Sequence, residues 1–391
     1  MRAFSLLGLI ILITFFGSCS KDDGPEMEKA ASFEVVSKMT LFGEDILQTR
    51  AGGYEAMTRA WSIPDGYVAY DSGDQSIGVC FTQVTEPPQE PQTPKIGSIF
   101  PSSGKWRANV ELSAGNYFLY GYIPHLPVIK CSITDREGNN VKYDEGAILT
   151  LQDVPSVMPN DLCVVIGAKD GTNAETVSSP GLSMGDFAYH AEAIESVGGG
   201  TSNFVFLLFD HLYAALRINM RVHGEYDKLR TIKLKSLQLS TKEGEGEDEH
   251  ISKDKTNITI NLKATDGSVS PIDNIVYTPS LKGVDNDEGI VFWSSASGDV
   301  LTTEYQDFTG HFMPTGVTTL ILTIAYDVYD KQENLIRENC KATNTMVLSD
   351  LLTGQTETLR GRRYTINMII RPTYLYMLSE PDLDNPSVVI N

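Results

Sequence analysis

Short runs rich in Val, Ile, Tyr, Phe and Thr recur along this chain, separated by clusters of Gly, Pro, Asn and Asp. The clearest are 78–84, 116–122, 205–217, 230–239, 257–262, 318–329 and 364–371. β-Branched and aromatic side chains fit a pleated, half-buried surface, and the intervening residues favour turns, so the pattern predicts strands. Several runs alternate with period two. Ile232, Leu234, Leu237 and Leu239 alternate with Lys233, Lys235 and Gln238 apart from one slip at Ser236. That is the pattern of a strand with one buried face and a bulge. Convincing amphipathic helices are absent. The best candidate, 345–352, is one to two turns long and is ended by Gly354. Regular short strands with turn signals predict an all-β protein built from β-sandwiches.

The strand pattern is interrupted in three places. At the N-terminus, Met1-Arg2 carries a positive charge and 6–16 form an apolar run too short for a stable bilayer-spanning helix. Gly17-Ser18 then stands directly before Cys19. Small residues ahead of a cysteine form the cleavage site of a lipoprotein signal peptide, with the thiol as the lipid carrier. Residues 1–18 are therefore expected to be a signal peptide and Cys19 the lipidated residue. Ser20-Lys21-Asp22-Asp23 follows, resembling a short acidic export tag for display on the outer face of an outer membrane. Farther on, 86–94 holds four prolines in nine residues and cannot be a central strand, because proline donates no ladder hydrogen bond. The stretch 243–250 is a run of Glu, Asp and Gly ending in His250, expected to be a solvated hairpin tip.

With 391 residues the chain exceeds what one small core serves, so two domains are expected. The boundary falls near 222–228, where a long apolar run ends in His223-Gly224-Glu225. Hydrophobic residues make up 41% and charged residues 21%, the balance of a globular protein. The formal net charge of −20, from 51 acidic and 31 basic residues, repels phosphate backbones and argues against a nucleic-acid partner. Beyond Cys19 the cysteines are Cys80, Cys131, Cys163 and Cys340, each in an apolar or strand-like run and with no spacing that suggests zinc. They read as core residues, with one or two disulfides open to them in an oxidising compartment.

Catalytic chemistry is not legible. The six histidines, His125, His190, His211, His223, His250 and His311, contain no HExxH or HxH pair, so no metal site is expected. There is no GxSxG elbow, no GxxxxGK[ST] phosphate loop and no GxGxxG after a strand, so no cofactor is expected either. His211, in Phe209-Asp210-His211-Leu212, reads as a core histidine bonded to a neighbour. The chain is not expected to be an enzyme.

Several segments carry a family resemblance. Phe206-Leu207-Leu208-Phe209-Asp210-His211-Leu212, followed by Ala215-Leu216-Arg217-Ile218-Asn219-Met220, resembles the strand near the end of the N-terminal domain in fimbrillins, the type V pilins of Bacteroidales. In the same order, Thr58-Arg59-Ala60, the aromatic strand 117–124, Asp161-Leu162 before Cys163, Phe312-Met313-Pro314, and Gly361-Arg362-Arg363-Tyr364-Thr365-Ile366 are similar to further fimbrillin motifs. Cys163 stands where that family often has methionine.

The resemblance implies two tandem transthyretin-like Greek-key β-sandwiches and a structural role in surface fimbriae. The implied organisation is a signal peptide (1–18), a linker (19–31), an N-terminal sandwich (32–224), a C-terminal sandwich (225–372) and a tail (373–391) that is a candidate donor strand. It further implies a lipoprotein precursor held at the cell outer membrane by Cys19 until a trypsin-like protease cuts it. The first strand, 32–40, then leaves, and a strand from another pilin subunit fills the groove. Arg50, in Thr49-Arg50-Ala51-Gly52-Gly53, and Arg59 are the candidate cleavage sites, and the product belongs to the extracellular fimbrium. The alternative reading is a surface glycan-binding lipoprotein of a polysaccharide-uptake system. It calls for exposed aromatic platforms, whereas Trp61, Trp106 and Trp293 are spread singly.

Overall fold

Strand follows strand through a computed structural model that describes residues 32–40, 43–46, 67–69, 75–84, 92–102, 105–141, 146–171, 185–191, 203–241, 254–263, 271–279, 289–314, 317–351, 357–373 and 382–390. In chain order the strands are β1 (Ser32–Thr40), β2 (Gly43–Ile46), β3 (Tyr67–Ala69), β4 (Ile77–Gln83), β5 (Lys95–Ser102), β6 (Lys105–Ala108), β7 (Gly115–Ile123) and β8 (Lys130–Thr134). Next come β9 (Ala147–Pro155), β10 (Val157–Met158), β11 (Cys163–Gly171), β12 (Ala188–Ala191), β13 (Asn203–His211), β14 (Ala214–Val222), β15 (Thr231–Ser240) and β16 (Lys255–Leu262). The last are β17 (Ile272–Pro279), β18 (Ile290–Val300), β19 (Gln306–Phe312), β20 (Thr319–Tyr329), β21 (Leu335–Val347), β22 (Arg362–Thr373) and β23 (Asp382–Ile390). The described helices are single turns at Gly224–Asp227 and Leu348–Leu351.

The largest sheet runs β11-β13-β1-β6-β5-β4-β7-β12, and β11 also pairs with β7, placing Cys163 opposite Ile123 and Val164 opposite Tyr122. The sheet thereby closes on itself, with β12 outside the ring and β3 hanging on β1. Period-two alternation divides its side chains between two cores. Val79, Phe81, Leu119, Val165, Leu207 and Phe209 form one cluster. Their neighbours Cys80, Tyr120, Tyr122, Val164, Ile166 and Leu208 pack instead with Leu149, Leu151, Ile258 and Ile260 of a four-stranded sheet, β17-β16-β9-β8. The third core lies between a sheet of order β10-β19-β14-β22-β2, with β23 also on β22, and the sheet β18-β15-β20-β21. The architecture is an all-β sandwich.

Sheet pairing crosses residue 224 in both directions. β14 lies before it and pairs with β19 and β22, whereas β16 lies after it and pairs with β9. The alternation in 230–239 is realised as β15, with Ile232, Leu234, Leu237 and Leu239 buried. The register slips between Leu234 and Ser236 against both neighbouring strands, at the residue where the sequence pattern slips. The expected helix at 345–352 is shorter than its local signal. Thr345, Met346 and Val347 pair with Ile321, Leu320 and Thr319 of β20, so the ladder holds them as strand and helix begins at Leu348. Local helix propensity is weak beside a row of cross-strand hydrogen bonds.

Candidate assembly site at the terminal strands

β1 is held differently from the other members of its sheet. Phe33–Met39 pair with Asn203–Phe209 of β13 in parallel, the one parallel pairing described in that sheet. Its opposite edge pairs antiparallel with β6 at Ser32 and Phe33, and with β3 at Lys38–Thr40. A parallel partner cannot be joined by a tight hairpin, so no short turn ties β1 to β13. Taking β1 out of the order leaves β13-β11-β7-β4-β5-β6 as one continuous sheet, because β11 pairs with β7. What opens is the edge of β13, whose Val205, Leu207 and Phe209 are buried in the ring core.

The same N-terminal stretch continues as β2, which leaves this sheet and pairs in parallel with Arg362–Thr365 of β22. The C-terminal strand β23 pairs antiparallel with β22 on the next part of the strand, with Met368 opposite Ile390 and Thr373 opposite Asp382. The other edge of β22 carries β14, from Ala215 to Val222. β2 and β23 thus lie end to end along one edge of β22. β23, the described strand of the candidate donor tail, is seated here on its own chain.

Between β13 and β14 the chain passes through a buried polar group. Asp210 is fully buried and accepts from Arg360 Nη1 at 2.7 Å and from the His211 backbone N–H at 2.9 Å. Arg360 Nη1 also donates to His211 O at 2.9 Å. His211 Nδ1 lies 2.6 Å from Asp161 Oδ2, and the Cys163 thiol donates to the same oxygen at 2.9 Å. Tyr213 donates to Pro155 O, and Tyr277 to Leu212 O at 2.8 Å. Burial, with the charges of Asp161 and Asp210, pushes the Cys163 thiol well up, so it acts as a neutral donor. Burial also lowers His311, whose Nδ1 donates to Pro159 O at 2.9 Å. The ligand atoms of Asp161, Cys163 and His211 lie within 4.8 Å of one another, the reach of a metal site. In the arrangement seen they bond to each other, bracing the strand that flanks β1.

The expected lipidation site Cys19, the cleavage candidates Arg50 and Arg59, the signal peptide 1–18, the linker 19–31, residues 86–91, the acidic run 243–250 and Trp61 all lie outside the described residues. The expected first strand coincides with β1 in both bounds. His211 is a buried histidine bonded to a neighbour, as its surroundings in sequence suggest. Cys80, Cys163 and Cys340 are buried and Cys131 is half-buried. Trp106 and Trp293 pack partly buried against cores, Trp293 with its ring 4.8 Å from that of Phe308. The sequence reading missed β2, because Gly43-Glu44-Asp45-Ile46 has too little apolar character to read as a strand. It also missed the group around Asp210, whose members are scattered from 161 to 360.

No family model matches the sequence, and no curated protein matches it. Among solved structures, the chain is similar to a candidate cell adhesion protein of Bacteroides fragilis NCTC 9343, at 10% identity and TM-score 0.38, covering 93% of this chain and 96% of that one. It is similar to the fimbrial anchor protein Mfa2 from Porphyromonas gingivalis, at 10% identity and TM-score 0.24, covering 91% of this chain and 97% of that one. A fimbrial protein from Bacteroides ovatus ATCC 8483 matches at 7% identity and TM-score 0.28, covering 87% of this chain and 48% of that one.

Proposed function

We propose that the chain is a structural subunit of cell-surface fimbriae, exported as a lipoprotein precursor and polymerised by strand exchange once its N-terminal strands are cut away. The observation that carries this reading is the placement of β1. It fills a slot in a closed sheet, no short turn ties it to its main partner, and the sheet stays continuous without it. Arg50 and Arg59 follow β2 in sequence, so one cut after either detaches β1 and β2 together. The cut chain then has an open β13 edge, with unpaired backbone groups beside an apolar core, and an open stretch of β22 at Arg362–Thr365. Unpaired backbone donors and acceptors beside buried side chains are costly, and a strand from another subunit satisfies them by adding to the edge. The tail supplies that strand by leaving β22. In this reading Cys19 carries the lipid that holds the uncut precursor at the outer membrane, and the partners are other pilin subunits and a trypsin-like protease.

Brief trypsin treatment of the purified chain tests the reading. The large product should begin at Ala51 or Ala60 and form ladders that survive detergent. A variant lacking 374–391 should be cut at the same place and stay monomeric. A cut full-length product that remains monomeric at every concentration contradicts polymerisation.

A further inference from the structure

We propose that Cys80 and Cys131 form a disulfide that staples the ring-closed sheet to the sheet packed on it. Their sulfur atoms lie 3.2 Å apart, although the residues are 51 positions apart in sequence. Cys80 is on β4, opposite Ile96 of β5 and Tyr120 of β7, and Cys131 is on β8, opposite Leu151 of β9. Each backbone is fixed by its own ladder, so two sheets rather than loose loops set the approach. Closing to the about 2.05 Å of a disulfide takes a movement of about 1 Å, within reach of side-chain rotation. Both residues belong to the core between the two sheets, Cys80 buried within it and Cys131 packed against it. No third described cysteine lies in that core.

Exposure sets the order of the chemistry. Cys80 is wholly buried, and the Cys131 hydrogen bond together with burial pushes its thiol well up, whereas Cys131 is half-buried. The Cys131 thiolate therefore attacks first, on a sulfur of an incoming disulfide, either a small-molecule disulfide or that of a thiol–disulfide oxidoreductase. A mixed disulfide forms and one donor thiolate leaves. The Cys80 sulfur then gives up its proton and displaces the second donor thiolate from Cys131 Sγ. Two cysteine thiols lose two electrons and two protons, and the donor disulfide leaves as two thiols. Neither β4 nor β8 pairs with β1, so the cross-link holds the two sheets together while that slot empties and refills. This consequence rests on the strand-exchange reading; the cross-link itself does not.

The test incubates reduced, uncut chain with oxidised glutathione, quenches it in acid, alkylates it under denaturing conditions and maps the peptides by mass spectrometry. The expected result is one internal link joining Cys80 to Cys131, with Cys163 and Cys340 alkylated. Folded Cys80→Ser should take up one glutathione at Cys131, and folded Cys131→Ser should take up none at Cys80. Recovery of wild-type Cys80 and Cys131 both alkylated, or linked elsewhere, overturns the proposal. Glutathione on Cys80 of Cys131→Ser with none on Cys131 of Cys80→Ser overturns the order of attack.

Discussion

Asp210 has no solvent contact, and its charge is met by Arg360 and by a backbone N–H. Removing Arg360 strands a buried carboxylate, so Arg360→Met is expected to cost about 3 kcal/mol, the low end for a broken buried pair because Arg360 is itself 23% exposed. Arg360→Met combined with Asp210→Asn should recover part of that loss, since the remaining amide carries no charge. Urea unfolding of the four chains as a double-mutant cycle checks both statements. His311 gives a pH dependence. Its pKa is lowered from the ordinary 6.5 by burial, so the unfolded chain binds the proton more readily than the folded one. Stability is then full above about 6.5 and falls as pH drops below it. His125, also lowered by burial, acts with the same sign. His311→Gln keeps a donor for Pro159 O and should flatten, without abolishing, the fall in melting temperature on acidification.

At the level of elements, β1 is a replaceable part in the proposed assembly. A chain beginning at Ala51 should bind a synthetic peptide of residues 32–40 and melt at a higher temperature with it, as any ligand selective for the folded state requires. The same peptide with Val36→Pro loses a backbone donor in the middle of the strand and should give little or no shift. β1 itself was legible because its apolar positions and flanking breaks are local, and the bulge in β15 was legible because a slip in alternation is written into the residues. The partners of β1 were not legible. β13 lies far along the chain, and no turn between them records a parallel register. The helix expected at 345–352 is found only at Leu348–Leu351 for a related reason: Thr345–Val347 owe their conformation to β20, which local propensity does not contain. The crossing of residue 224 was likewise hidden, since β16 alternates as a half-buried strand whichever sheet receives it. Cys80 and Cys131 share no spacing rule, and only the packing of two sheets brings their sulfurs together.

Across the whole molecule, β1 and β2 belong to different sheets, β1 to the closed sheet and β2 to the edge of β22 that also carries β23. Removing one stretch therefore alters two sheets at once, and the tail lies next to one of the gaps. A net charge of −20 disfavours non-specific association between copies of the chain, so assembly as proposed has to come from specific strand pairing. In the proposed assembly another strand takes the place of β1. Hydrogen exchange at the β13 amides facing β1, within Phe204–Phe209, tests it most directly, read in the uncut chain, in the freshly cut monomer and in the assembled product. Strand replacement gives protection, then loss of protection, then its return on assembly. Amides that stay protected in the cut monomer, or stay open in the assembled product, would contradict it.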